Sequence, residues 1–458
     1  MIHLIPLLLL AQYPAARHGG NYMHNYYLPP APSTTPWAPA WAPDGKSIAV
    51  AMQGSIFRVD PETGTATEIA TGAAYMSSPA WSPDGKWLVY TADDDARSIQ
   101  LEILNVATGE THALTRDSHI YLDPVFSPDG TRLAYVSTQP NGYFNIYVRA
   151  VRDGRWAGEP VSLTGDNRYP RDRLYFGAWD MHTQPAWTPN GNEIVFVSNR
   201  GVALGSGDLM RMPAERGGIL KATRILSEQT LYRTRPHVSP DGRRILYSST
   251  SGAADQFNNL YVIPLAGGAP YKLTFGQYDS FHPRFSPDGE WIAYIANDGE
   301  LPQLCVLETY GGKRRSVEIG RRVWKRPMGR VHVRVVDGET GLATAARLHG
   351  LAADGKFYAP DDAYSRIGHN RRHTFHTQGD AVMDMPPGRV RLSALKGFLY
   401  TPAEGEIEVR ANRAVSIMLR LERLKDAGAS GWFSGSTHVH MNYGGNLHNT
   451  PANLLRMA

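Results

Sequence analysis

The chain has 458 residues, enough for two or three domains. Its 45 glycines and 32 prolines, with only 20% charged residues, exclude a disordered chain and fit a turn-rich β protein. The formal charge of +4 is too small to mark a nucleic-acid-binding protein, and the single Cys305, in an apolar run, excludes an internal disulfide and reads as a buried thiol.

Residues 4–11 (Leu-Ile-Pro-Leu-Leu-Leu-Leu-Ala) form an apolar run of signal-peptide size, far too short to span a bilayer. No Lys or Arg precedes it and no small-x-small cleavage site follows. Residues 1–20 are therefore read as a signal peptide, with a periplasmic or extracellular protein as the expectation and no transmembrane segment. Residues 21–38, rich in Tyr, Asn, Pro and His, read as an irregular lead-in.

From residue 39 onward a rule repeats six times: a proline, one spacer and a large apolar residue lead into Ser-Pro-Asp-Gly or a near copy. The turn glycines are Gly45, Gly85, Gly130, Gly191, Gly242 and Gly289, spaced 40, 45, 61, 51 and 47 residues apart. A period of this size marks a β-propeller with one four-stranded blade per repeat. In one unit, Pro79-Ala80-Trp81 starts a strand, because its proline cannot donate to a ladder. Ser82-Pro83-Asp84-Gly85 is a tight turn in which proline presets φ and glycine takes a conformation other residues resist. Lys86-Trp87-Leu88-Val89-Tyr90 returns as the second strand, residues 99–106 form the third, and His112-Ala113-Leu114-Thr115 the outer fourth. The Asp and Trp of each turn read as structural. The expectation is six blades over residues 39–319.

These residues resemble the TolB-like six-bladed propellers, whose repeat carries the same Pro-x-Trp-Ser-Pro-Asp-Gly core. The fourth copy departs with Thr188-Pro189-Asn190-Gly191 and the fifth has Val238 in place of an aromatic, neither of which breaks the turn. Such a fold does not by itself fix a function, although a propeller face offers a surface for a protein partner. The 61-residue interval carries its surplus around residues 168–183, with Arg171, Asp172, Arg173, Asp180 and His182. It reads either as a loop contacting a ligand or neighbouring domain, or as a plain surface insertion.

Residues 313–330 hold eight Lys or Arg with a single aromatic, Trp324, among them, and 320–327 read as a solvated basic linker. Beyond it the period stops. Val331, Val333 and Val335 alternate with His332 and Arg334, and Val415, Ile417, Leu419 and Leu421 alternate again near the end of the segment. With the corner Pro386-Pro387-Gly388 between them, residues 328–424 read as a small β-sandwich resembling the carboxypeptidase-regulatory type. His369, His373 and His376 are spaced for a helix that the pattern does not support, so they read as unrelated to metal binding.

The chemistry-bearing run is Gly431-Trp432-Phe433-Ser434-Gly435-Ser436-Thr437-His438-Val439-His440. Two histidines two apart on a strand share a face, and imidazole is the commonest ligand of hydrolytic metals. Thr450-Pro451 then follow as N-cap and first helical residue. This strand-loop-helix order is how a metal-dependent barrel begins. The run, with Asn442-Tyr443-Gly444 and Asn449-Thr450-Pro451, resembles the CehA/McbA-type metallohydrolases of the amidohydrolase-like polymerase-and-histidinol-phosphatase (PHP) class. The resemblance implies a divalent metal ion, zinc or similar, ligated by His438 and His440, with Ser436 where those enzymes carry Asp. No catalytic residue is assigned.

Only 18 residues follow His440, whereas such a barrel takes on the order of 250. The expected architecture is therefore all-β: a six-bladed propeller, a small β-sandwich and, over 430–458, a truncated first strand-helix unit of a metal-dependent (β/α) barrel. The chain reads as the N-terminal portion of a secreted metal-dependent hydrolase acting on a small molecule or peptide, inactive by itself and with no tightly bound metal. The alternative is a stand-alone TolB-like propeller serving as a binding scaffold. A serine peptidase of the prolyl-oligopeptidase kind is set aside, because no Gly-x-Ser-x-Gly elbow occurs.

Overall fold

A computed structural model describes residues 34–424 and Gly431, apart from 95–97, 140–141, 166–179, 202–206, 228–233, 251–254, 256, 299–300, 364 and 368–371. The described elements are β-strands with a 3-10 turn at Gly218–Lys221. They fall into two compact units, residues 36–323 and 324–424.

The first unit consists of six antiparallel sheets, each following the next along the chain. Their innermost strands are Trp37–Trp41, Tyr75–Trp81, Tyr121–Phe126, His182–Trp187, His237–Val238 and Ser280–Phe285. These pack side by side in chain order, and the strand of blade 1 also packs against that of blade 6, so the ring is closed. Second strands such as Ile48–Met52 and Arg244–Ser249 are buried almost throughout, since both faces of each sheet meet a neighbouring blade. Val89, Leu101 and Ile103 of blade 2, for example, share one cluster with Leu133 and Tyr135 of blade 3.

The Ser-Pro-Asp-Gly turns act in two ways. Within a blade, Ser82 Oγ donates to Asp84 Oδ1 at 2.6 Å while accepting from Trp87 N at 2.9 Å. Blade 4 keeps the same pair with Thr188 and Asn190 at 2.7 Å. Between blades, each turn glycine, at φ of 69–77°, lies against the turn proline of the preceding blade. The cycle is completed by Gly45 of blade 1 facing Pro287 of blade 6. The indoles follow the same direction: Trp81 Nε1 donates to Ala40 O and Trp187 Nε1 to Val125 O, both at 3.2 Å.

Closure has a second component. The segment expected as a basic linker contains a strand, Arg321–Val323, paired parallel with Thr65–Ala70 on the outer edge of blade 1. Just before it, Arg315 Nη1 donates to Pro61 O at 2.5 Å and pairs with Glu62. Blade 1 also begins at Trp37, within the segment expected as lead-in, and Trp37 is buried.

In the second unit, Gly329–Asp337 lies between Asp380–Met385 and a parallel neighbour, Ala414–Leu421. A five-stranded sheet, in the order Ser365–Ile367, His373–Thr377, Ala346–Leu351, Gly388–Leu395, Ala403–Val409, forms the other layer. Val331, Val333, Leu348, Phe375, Val390 and Leu419 are buried in this sandwich.

Two outcomes follow. Gly64 has φ 67°, and a Cβ there would sit 1.9 Å from Glu318 O of the closing segment. Gly64→Ala should therefore cost on the order of 1–3 kcal/mol, a fall of several degrees in thermal midpoint, while Gly320→Ala, with open space around it, should be nearly neutral. Equal midpoints for the two variants would remove the steric clasp. Second, the serine hydroxyls lead the causes that hold the carboxyls of Asp84, Asp129, Asp241 and Asp288 below the usual range. A carboxyl depressed on folding contributes stability above its unfolded value of about 3.9, lost as pH falls through the folded value. Replacing Ser82, Ser127, Ser239 and Ser286 by Ala should flatten the fall in denaturation midpoint below about pH 4.

Candidate functional site

The most constrained backbone in the first unit lies at its axis. Ala38, Ser78, Asp123, Gln184, Arg235 and His282 occupy the left-handed region, with φ between 44° and 57°, and each directly precedes the innermost-strand proline of its blade. Proline offers no N–H to the ladder, and in five blades the register slips at this point. A non-glycine residue in this conformation costs of order 1–3 kcal/mol and persists only where the surroundings over-determine it.

The bulges surround a cavity of about 490 Å³. Blades 1 and 2 contribute small apolar walls, Ala38, Ala40 and Ala80, while blades 3 to 6 contribute polar groups. Asp123 Oδ1 accepts from Arg235 Nη1 at 2.5 Å, both side chains being buried. Asp123 Oδ2 accepts from Gln184 N at 3.2 Å, and Gln184 Oε1 accepts from Arg235 N at 2.7 Å. Arg284 Nη1 in turn donates to Arg235 O at 3.1 Å and Pro283 O at 2.8 Å. One polar chain thus stitches blades 3, 4, 5 and 6 together around the cavity.

Two groups here have displaced proton affinities. Burial, with the adjoining Arg284 charge, holds the His237 imidazole down at about 3. This agrees with its Nδ1 accepting from Phe285 N at 3.0 Å, which needs a neutral ring. Burial, with Arg235 beside it, lowers Arg284 to about 10, still charged at neutral pH. The cavity wall therefore carries two guanidinium groups, one carboxylate and a neutral imidazole. It binds and orients; it holds no nucleophile–base pair.

The sequence-derived candidates lie elsewhere. His438 and His440, with the whole 430–458 run, fall outside the described residues, as do the apolar N-terminal run, His369 and most of the 168–183 surplus. From that surplus Asp180 and His182 are described, and both are buried. His182 is not in a loop: it opens the innermost strand of blade 4, with Nδ1 2.9 Å from Ser198 Oγ. His373 and His376 sit on the strand His373–Thr377, where an odd spacing puts them on opposite faces. Among the described residues no three His, Cys, Asp or Glu side chains are grouped to hold a metal. Cys305 is fully buried, as its apolar run implied. The axial residues were missed, though a signal existed: aligned on the proline, Asp123, Arg235 and Arg284 place charge in columns that elsewhere hold Ala, Ser, Val, Gln or His.

Comparison with known proteins agrees with the repeat. The family model of the TolB beta propeller domain matches residues 32–158. An uncharacterized peptidase, YuxL of Bacillus subtilis, is 26% identical over 213 residues, 38% of this chain and 29% of that protein. Atu1656 of Agrobacterium fabrum is 25% identical over 272 residues, 56% of this chain and 83% of its own length. TolB from Acinetobacter baumannii superposes with a TM-score of 0.46 at 20% identity, covering 61% of this chain and 62% of that one. The chain thus carries a TolB-like β-propeller, and it spans under a third of the length of the peptidase it matches.

Removing the Asp123 charge leaves Arg235 buried without its counter-ion. Asp123→Asn should cost on the order of 3–5 kcal/mol, and the double variant Asp123→Asn/Arg235→Gln should recover a large part of it. Chemical denaturation of the four proteins measures the coupling. Strict additivity would mean that the pair does not hold the ring.

Proposed function

We propose that the propeller and β-sandwich are accessory binding domains of an exported metal-dependent hydrolase of the amidohydrolase/PHP type, and that the propeller binds its ligand in the axial cavity. The observation that carries the binding role is that cavity: five strained non-glycine residues line it, and four blades line it with one polar network. Function commonly resides where strain and buried charge are tolerated together. The hydrolase assignment is supported by the run from Gly431 to Pro451 with its paired His438 and His440. Export is supported by the apolar residues 4–11. A hydrolytic context is supported by two relatives that are named as peptidases, YuxL and the dipeptidyl-peptidase 5 of Porphyromonas gingivalis (34% identical over 91 residues).

Two imidazoles are fewer than the three protein ligands of a hydrolytic zinc site, and the described residues hold no group of three or more His, Cys, Asp or Glu that could bind a metal by itself. A bound divalent ion would supply an activated water. No catalytic step is assigned to this chain's residues. A second reading, a propeller acting as a ligand- or protein-binding scaffold without chemistry, is favoured by Atu1656, matched over 83% of its own length.

Zinc titration into the 458-residue chain separates the readings. The hydrolase assignment expects weak binding that weakens further in the His438→Ala/His440→Ala variant. Zinc uptake unchanged in that variant would remove the two histidines as ligands and favour the scaffold.

A further inference from the structure

The axial cavity has an unbalanced charge. Arg235 is matched by Asp123 at 2.5 Å, but Arg284 has no carboxylate within ion-pair distance among the described residues. Only one of its nitrogens, Nη1, is engaged, and only by backbone carbonyls. Three ionised side chains therefore leave one positive charge on the wall. Trp41 lines the same wall, but its Nε1 is closed off from the cavity and makes no hydrogen bond among the described residues, whereas the equivalent indoles of Trp81 and Trp187 donate to the preceding blade.

We infer that the cavity binds a carboxylate, received by Arg284, with the ligand's small apolar body against Ala40 and Ala80. The inference rests on reading the axial cavity as the binding site, and it adds the ligand class. One surplus charge calls for a monoanion. A carboxylate is acceptor-only and offers two oxygens, matching the fork of a planar guanidinium. A doubly charged phosphate would exceed the charge available. Apart from the Ser78 hydroxyl, the small and proline side chains of blades 1 and 2 present no donor or acceptor, so the part of the ligand beside Ala40 and Ala80 is apolar and narrow. The cavity volume lies within the range of small-ligand sites. The lowered proton affinity of Arg284 has the same origin, since a desolvated cation beside another cation is stabilised when an anion arrives.

The carboxylate can come from a peptide C-terminus or a free organic acid. Isothermal titration of the 458-residue chain would use three probes: acetyl-trialanine with a free C-terminus, the same peptide as its C-terminal amide, and butyrate. The free acid should bind at least about tenfold more tightly than the amide, the scale of one charge-assisted hydrogen-bonded pair. Arg284→Gln should abolish that difference. Butyrate binding as well as the tripeptide assigns a small acid; tripeptide binding alone assigns a peptide terminus.

Thermal stability supplies the second readout. Removing an unmatched cation should leave the midpoint of Arg284→Gln unchanged or higher, whereas an arginine retained only for structure would leave it lower. Equal binding of acid and amide, with the amide still displaced by the acid, would overturn the carboxylate while keeping the cavity as the site. No binding of any probe at millimolar concentration, or a lowered midpoint in Arg284→Gln, would overturn the inference itself.

Discussion

Contact between a turn glycine and the turn proline of the preceding blade is the constraint on which the rest of the first unit depends. It recurs six times, and in each a Cβ on the glycine would come within 3.4–4.0 Å of the proline ring. Proline gives the contact a rigid partner with no competing N–H, and glycine allows both close approach and the positive φ of the turn. Because every copy points the same way around the axis, six such contacts leave no free end. The antiparallel blades do not exchange a strand to close. The parallel strand Arg321–Val323 and the Arg315 contacts reinforce the junction between blades 6 and 1 from outside.

A closed ring forces the innermost strands inward, and the prolines that start the repeat interrupt their ladders where the strands are most crowded. The bulges and left-handed residues follow from that conflict. In blades 1 and 2 it is filled with Ala38 and Ser78, the least demanding choice. In blades 3, 4 and 5 it is filled with Asp123, Gln184 and Arg235, whose side chains then bond the backbone of a neighbouring blade or each other. Substituting polar for small residues at already strained positions gains no apolar burial. It gains only directed hydrogen bonds and a field within the cavity, which is the economy of a binding site rather than of a core.

How much of this was legible in the sequence depends on how local each rule is. The turn sequence and the Leu88-Val89-Tyr90 type of strand declare themselves within ten residues, so the blades and their count could be read directly. Strand Arg321–Val323 could not: an edge strand carries charge to discourage further pairing, so it looks like a linker. Strand His373–Thr377 of the sandwich puts His and Thr into buried positions and blurs the alternation that exposed Val331 and Val415. His182 was misplaced because interval length shows where residues are added but not where the loop ends. The axial charges were hidden for a different reason. The columns before and after the proline are read as variable in any one repeat, and become informative only when six blades are superposed and their side chains are known to meet.

The division of labour in the chain follows from these properties. An axial ring is rigid, since any displacement of one blade must be shared by the other five, and it suits recognition of a small fixed group such as an anion. Hydrolysis asks for something else: a metal, a nucleophile and proton-transfer groups held on strand ends with room for the substrate to change geometry. Among the described residues no side-chain grouping offers that chemistry, while the paired histidines His438 and His440 stand in a run with none of the propeller's periodicity. Under the proposed function, recognition belongs to the repeat, at the positions its own proline strains, and chemistry to a segment free of the repeat's geometry. An arginine kept in the ring without a counter-ion is consistent with that separation, because a core residue selected for stability alone would not retain a desolvated charge.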